Sequence, residues 1–147
     1  MNAYDYLSQA YMLEQRIQTK LHHISCLRSL AQTVSSYTGG EPVSHTRNVT
    51  QLEDTVIKIM QKEHELNLEI DRLVDLKREI MEVLDEVKDL NYRLILEKRY
   101  LCFESWPKIG EDMGHSDRWA QLKHQAALRV VDAILAGRQE RSEQTAG

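Results

Sequence analysis

The chain has 147 residues, of which 41% are hydrophobic, 29% are charged and only 6% are aromatic. With 6 Gly and 2 Pro, this composition favours long helices over a compact sheet, which needs more β-branched and aromatic runs. The formal net charge is −4, but residues 1–90 carry 10 basic and 15 acidic side chains, whereas residues 91–141 carry 9 and 7. The acidic part argues against nucleic-acid binding along its length, and the mildly basic end permits local phosphate contacts.

The cellular location is predicted from the thiols and the hydrophobic pattern. Cys26 and Cys102 follow no spacing typical of a disulfide framework, which favours a reducing compartment. The N-terminus lacks the basic and apolar regions of a signal peptide, and no apolar stretch reaches the roughly 20 residues that span a bilayer. We therefore expect a cytoplasmic protein without a membrane partner.

A long first helix is predicted from the spacing of apolar residues. Steps of three and four residues alternate, which puts one apolar stripe on one helix face, and Lys20 alone departs from the pattern. Asn2 is suited to cap the start of this helix. Residues 35–48 are rich in turn formers and helix breakers and are predicted to form a loop. The stripe consists of Ala3, Tyr6, Ala10, Leu13, Ile17, Ile24, Leu27, Ala31 and Val34.

A second, longer helix is predicted to begin near Thr50, where Thr50 and Glu53 match a capping box, and to run to about Asp89. Its heptad a positions include two charges, Glu63 and Lys77, which tend to set register or partner choice. We expect the two helices to form an antiparallel hairpin, and two hairpins to pair as a homodimer or another homo-oligomer. The residues predicted to drive oligomerisation are the apolar d positions Leu52, Ile59, Leu66, Leu73, Ile80 and Val87.

Shorter helices are predicted beyond residue 90. Ser105 and Ser116 can each cap a helix, and Gly114 between them can take the left-handed turn that ends the first of the two. Gly110 is small where the two helices must approach each other. A short helix, a Gly-centred turn and a second helix make a helix-turn-helix.

Two positions fit the helix-turn-helix pattern less well, because His115 and Lys123 stand where apolar residues are usual. Either the Lys123 stem snorkels, or the second helix is rotated so that other residues face inward. In the rotated arrangement the inward residues would be Trp119, Leu122 and Ala126. Trp106 and Trp119 are interpreted as core residues of the small unit.

The predicted fold is therefore all-α, a helical hairpin or coiled-coil stalk followed by a small helix-turn-helix unit. The stalk takes residues 1–89, with its loop at about 35–48, and the helix-turn-helix unit takes residues 90–137. The polar residues 138–147 are predicted to be a disordered tail.

If the helix-turn-helix binds DNA, its second helix enters the major groove and its outward polar residues meet base edges. The predicted base contacts are Ser116, Arg118, Gln121 and Gln125. The predicted phosphate contacts are Lys98, Arg99, Lys108 and Arg129. The alternative interpretation is a solvated helix face with ordinary surface charge, because Gly-centred helical corners also occur in proteins that bind no DNA.

Several segments of the C-terminal part resemble the DNA-binding region four of sigma factors and, more closely, phage late-gene regulators of the ArpU and RinA type. These segments are residues 93–100, 106–110 and 113–116, followed by His124 and by Ala127 with Leu128. Lys123 departs from the Leu expected there, and Ala120 is small where Val is common. Residues 6–10, 28–31 and 70–80 resemble an uncharacterised family of prophages and mobile elements in Firmicutes. The resemblance implies an element-encoded DNA-binding regulator.

No catalytic constellation, phosphate-binding loop or zinc-ligand spacing is present in the sequence. His22 and His23 point about 100° apart on a helix and are interpreted as exposed side chains rather than metal ligands. We expect a non-enzymatic protein that uses no cofactor and no metal.

The predicted function is transcriptional regulation through double-stranded DNA, with RNA polymerase as a further partner if the unit acts like a sigma-factor module. Two alternatives remain open. One is a coiled-coil protein-interaction module that does not bind DNA. The other is a small DNA-packaging (terminase) subunit, which also joins a helix-turn-helix to oligomerising helices.

Overall fold

The computed structural model describes residues 1–36 and 42–147, and the described residues form five helices and no strand. The all-α prediction is confirmed. By contact density the chain divides into two units. We call residues 13–72 the hairpin unit and residues 1–12 with 73–147 the C-terminal unit, so the division differs from the predicted boundary after residue 89. The helices are α1 Ala3–Ser36, α2 Pro42–Asp85, α3 Leu90–Tyr100, α4 Trp106–Asp112 and α5 Asp117–Ala146.

Ion pairs between α1 and α2 show that the hairpin unit is antiparallel, as the sequence predicts. Arg16 pairs with Glu69 at 2.5 Å, and Arg28, further along α1, pairs with Glu63, which lies earlier in α2. Such partly exposed pairs contribute about 0–1 kcal/mol each, so they set register while the apolar seam supplies most of the stability. The charged a position at Glu63 is thereby explained within one chain.

Lys20, the residue that interrupts the apolar stripe of α1, lies opposite two acids of α2. Its Nζ is 2.9 Å from Glu65 and 3.9 Å from Glu69. Glu69 is buried, with 7% of its surface exposed. A buried carboxylate needs a cationic partner, and Arg16 and Lys20 supply two.

The d positions of α2 are covered by the chain's own helices. Leu66, Leu73, Ile80 and Val87 are buried, and Leu52 and Ile59 are half-buried, with no second chain present. The a positions Val49, Val56 and Ile70 are instead exposed. In α1, Leu7 is fully buried although it lies outside the predicted stripe. The seam predicted to drive oligomerisation is therefore already used inside one subunit.

The structure shortens the predicted loop at residues 35–48. Helix α1 continues through Ser36, and α2 begins at Pro42, eight residues before Thr50, while residues 37–41 lie outside the described part. The capping box at Thr50 and Glu53 was therefore a wrong prediction, because both residues lie inside α2. Proline suits the first turn of a helix, since its fixed φ is helical and an N–H there has no partner to lose.

The predicted helix through Asp89 is broken between α2 and α3. The Asp89 side chain accepts a hydrogen bond from the Tyr92 N–H at 3.0 Å and so caps α3. Arg93 donates from Nε and Nη2 to the Val87 carbonyl, at 3.0 and 2.7 Å, and from Nη2 to the Asp85 carbonyl at 3.4 Å. Asp85 is the last residue of α2, where a helix leaves carbonyls without intrahelical partners, and Val87 lies two residues beyond it. The side chains of Asp89 and Arg93 therefore stabilise the break between α2 and α3.

The predicted turn between α4 and α5 is confirmed. Ser105 and Ser116 cap the two helices, accepting from the backbone N–H groups of Lys108 and Trp119. Gly114 has φ +72°, the left-handed conformation that glycine adopts without strain. Gly110 lies against the start of α5, where an added Cβ would be 2.8 Å from the Asp117 nitrogen. The two helices therefore meet backbone to backbone at Gly110.

Helix α5 continues to Ala146, so the residues predicted to form a disordered tail are helical. Arg138 Nε lies 2.6 Å from Glu86 Oε2, and Arg141 lies 3.7 Å from the other oxygen of Glu86. Earlier in α5, the Asp132 carboxylate accepts from the Ala3 N–H at 2.6 Å. These contacts join α5 to the first turn of α1 and to the end of α2 within the C-terminal unit.

Replacing Gly110 by Ala should lower the free energy of unfolding by about 2–3 kcal/mol, because the methyl group meets rigid backbone atoms. Gly137→Ala is the matched control. Gly137 lies inside α5 with its nearest added-Cβ neighbour at 3.7 Å, so this change should stabilise the protein by about 0.5–1 kcal/mol. Chemical denaturation of both variants measures the difference, and equal stabilities would contradict the close approach.

Candidate DNA-binding face

Helix α5 has one buried stripe and one exposed stripe on opposite sides. The buried residues Ala120, His124, Ala127 and Val131 recur at helical spacing. At about 100° per residue, the residues opposite them point directly away from the core. These opposite residues are Arg118, Leu122, Gln125 and Arg129, and all four are exposed. We call them the outer stripe, which extends about 16 Å along the helix at 1.5 Å per residue.

The outer stripe decides between the two predicted orientations of α5. Leu122 is 63% exposed, so the rotated arrangement, with Leu122 inward, is wrong, and Lys123 is half-buried. His115, the other unusual residue, stacks its ring on Trp119 at 3.8 Å. Trp106 and Trp119 pack on the buried cluster around Ile109, as predicted.

Leu122 is a member of the face that sequence reasoning did not assign to a site. Its neighbours along the outer stripe are Arg118 and Gln125, so an apolar side chain stands between a cationic and an amide group. The signal was present in the sequence, because Leu122 follows Arg118 by four residues. It was missed because a leucine in an amphipathic helix is usually assigned to the core.

The four predicted base contacts do not lie in equivalent positions. Arg118 and Gln125 belong to the outer stripe, and the Ser116 hydroxyl accepts from the Trp119 N–H at 3.1 Å as the cap of α5. Gln121 lies about 70° from the middle of the stripe, on the flank. Gln121 and Gln125 both border a cleft of about 660 Å³ in the C-terminal unit. We call it the aromatic cleft, after the rings of Tyr4, Tyr11, Tyr100, Phe103 and Trp106 in its walls.

Two of the predicted phosphate contacts are paired with an acid. Lys98 lies 3.5 Å and Lys108 lies 2.9 Å from the carboxylate of Asp112, and Lys98 is also 3.9 Å from Glu104. The hydrogen bond to Asp112 raises the pKa of Lys108, and the one from Lys108 lowers the pKa of Asp112. Either lysine would have to release Asp112 before it neutralised a phosphate.

The other two predicted phosphate contacts are arginines without a carboxylate partner among the described residues. Arg129 is exposed on the outer stripe. Arg99 is half-buried, donates from Nη1 to the Glu104 carbonyl at 2.9 Å, and holds its guanidinium 4.7 Å from the centre of the Trp106 ring. Arg99 therefore faces the aromatic cleft, and Arg129 faces the solvent.

A buried polar pair lies beneath the face. The Tyr100 hydroxyl and His124 Nε2 are 2.6 Å apart, and the Trp106 and His124 rings pack at a steep angle with ring centres 4.7 Å apart. Burial, aided by the positive charge of Arg99, lowers the pKa of His124 from 6.5 to about 4. His124 is therefore neutral at pH 7, and it contributes no charge to the face.

The described residues include no helix long and apolar enough to cross a membrane. Within the same residues no group of three or more His, Cys, Asp or Glu side chains could hold a metal ion. Comparison of the chain with protein-family models, curated proteins and solved structures found no match.

The low pKa of His124 makes stability depend on pH. In the unfolded chain the histidine binds a proton near pH 6.5, whereas in the folded protein the pKa of His124 is about 4. Between these pH values the unfolded state binds more protons, so the free energy of unfolding decreases as the pH falls from 6.5 toward 4. We expect a loss on the order of 1 kcal/mol by pH 5, allowing for solvent screening. Urea titrations at pH 7 and pH 5 measure it. His124→Gln should lose less between the two pH values, and an unchanged pH dependence in that variant would contradict the assignment. His22→Gln, at an exposed histidine, is the control.

Proposed function

We propose that the chain is a DNA-binding transcriptional regulator of phage or mobile-element type, in which α5 enters the major groove. The observation that carries this proposal is the outer stripe. It is exposed along about three turns, lies opposite the packed core, and starts at the capped end of α5. A recognition helix meets base edges with residues from this end.

The chemistry of the outer stripe suits base reading. The Arg118 guanidinium can bond both acceptors of guanine, and the Gln125 amide can bond adenine in the same bidentate way. Leu122 between them can contact the methyl group of thymine. Arg129, at the far end, can neutralise a phosphate. An operator half-site should therefore contain guanine and an A·T pair within a few positions of each other.

The oligomer is proposed to form through a different surface from the d positions. Because those are covered within one chain, a second copy would pack on the exposed apolar a and e positions of α2 in the hairpin unit. Two subunits would then offer two recognition helices to two half-sites of one operator. The apolar residues of this surface are Val49, Val56, Met60 and Ile70, which are 41, 44, 64 and 38% exposed.

Removing single members of the outer stripe should weaken binding at single base positions. Arg118→Ala should cost about 1–3 kcal/mol on a duplex selected by the protein, while Arg72→Ala, which removes an exposed arginine from the hairpin unit, should cost little. Leu122→Ala and replacement of the contacted thymine by uracil remove the two partners of one contact, so their combined loss should be less than additive. Fluorescence anisotropy measures each affinity. Unchanged affinity and specificity in Arg118→Ala, with the fold intact, would exclude α5 as the reading helix.

Asp112→Asn should increase affinity for all duplexes alike, because it releases Lys98 and Lys108 to bind phosphate. The slope of log affinity against log salt concentration should steepen by about 0.9 for each lysine that engages. Glu111→Gln removes the same charge from the neighbouring position, where no ion pair is broken, and serves as the control. Equal effects of the two variants would mean that neither lysine reaches the backbone of DNA.

A further inference from the structure

The aromatic cleft has the dimensions and walls of a small-molecule site. Its volume of about 660 Å³ lies within the range of roughly 300–1,000 Å³ typical of such sites. The first turns of α1 contribute Tyr4 and Tyr11, and the end of α3 with the turn after it contributes Tyr100 and Phe103. Helix α4 contributes Trp106, and α5 contributes Gln121, His124 and Gln125. Flat rings on several sides suit a planar, unsaturated ligand.

Among the described residues, Arg99 is the only one lining the aromatic cleft that is charged at neutral pH. The other titratable groups among these lining residues are tyrosines and the neutral His124, and none of them is a carboxylate. The Arg99 guanidinium lies 4.7 Å from the centre of the Trp106 ring and is bonded to one backbone carbonyl, which leaves further N–H donors unused. A single planar cation without an acidic partner suits a single carboxylate, which it can bind with two parallel hydrogen bonds.

The rim of the aromatic cleft holds a strained residue. Phe103 has φ +56°, and it is the one described residue other than glycine with a positive φ. Its ring meets Tyr11 edge to face with ring centres 5.8 Å apart, and the Lys77 ammonium lies 4.7 Å from its centre. A bulky residue in the left-handed region costs about 1–3 kcal/mol, and here it lets the Glu104 N–H donate to the Lys98 carbonyl at 2.9 Å and end α3. The two contacts hold the phenyl ring at the wall of the cleft.

From this geometry we infer that the aromatic cleft binds a small planar aromatic monocarboxylate, with the carboxylate on Arg99 and the ring among the aromatic walls. Gln121 and Gln125 border the same cleft and can hydrogen-bond polar substituents of the ligand. Because Gln125 also belongs to the outer stripe, a bound ligand alters the face offered to DNA. This second part rests on the proposed function, whereas the binding itself does not.

Calorimetric titration of the full-length protein with 1-naphthoate tests the inference. For a ligand of this size we expect a dissociation constant on the order of 100 µM. The uncharged 1-naphthamide should bind at least about tenfold more weakly, because it lacks the charge-assisted bonds to Arg99. This comparison uses the unaltered protein and does not depend on the folding of any variant.

Variants then locate the ligand. Arg99→Gln should weaken 1-naphthoate binding at least about tenfold, and Arg78→Gln, at an exposed arginine of α2 outside the cleft, should leave it unchanged. Equal affinity of the acid and the amide would overturn the inference, as would no binding of 1-naphthoate at about 2 mM.

The coupling to DNA is measured separately, with a duplex selected by the protein and 1-naphthoate at saturation. A shift in DNA affinity of about threefold or more supports it. If 1-naphthoate binds and DNA affinity does not change, the proposed coupling is wrong, but the proposed binding site is supported. If no duplex is bound at all, the proposed function is wrong, and the calorimetric titration still tests ligand binding in the cleft.

Discussion

The arrangement of the C-terminal unit depends on the close approach of α4 and α5 at Gly110. A side chain there would meet the backbone of residues 115–117 at 2.8–2.9 Å, so only glycine lets α5 start where it does. That starting point decides which face of α5 packs on Ile95 and Ile109. The opposite face of α5 is therefore exposed to solvent, and this exposed face is the outer stripe.

The second structural feature is the use of charge to end and join helices. Asp89 begins α3, while Arg93 occupies the carbonyls at the end of α2. In the hairpin unit, Arg28 and Glu63 set the register. Lys20 and Glu63, which interrupt the apolar patterns of α1 and α2, each have a partner of opposite charge on the other helix, so these two interruptions specify one pairing rather than weaken the core.

Local signals in the sequence predicted much of this structure. The caps at Ser105 and Ser116 and the turn at Gly114 require only neighbouring residues, and all three were predicted correctly. The end of the second helix was predicted near Asp89, four residues beyond its end at Asp85, because Val87 and Leu94 continue the seven-residue spacing across the break. The helical end of α5 was also missed, since its contacts with Glu86 join residues more than fifty positions apart.

Part of the candidate site was also predictable from local signals in the sequence. Helical spacing alone put Arg118 and Gln125 outward, because residues seven apart share a face. The pairing of Lys98 and Lys108 with Asp112 depends on how α3 and α4 meet, which no spacing within one helix reveals. In the aromatic cleft, Tyr4 lies beside residues near position 100. No pattern in the first turns of α1 predicts this long-range contact.

The central claim, that the outer stripe reads DNA, is tested most directly by selection of genomic fragments on the intact protein at near-physiological salt. Specific protein–DNA complexes bind their sites roughly 10³-fold or more tightly than random DNA, so several rounds should enrich a shared motif. The account predicts a motif that is lost when Arg118, Leu122 and Gln125 are replaced together by Ala. Fragments that remain unenriched with the intact protein, or a motif that survives the triple replacement, would contradict it.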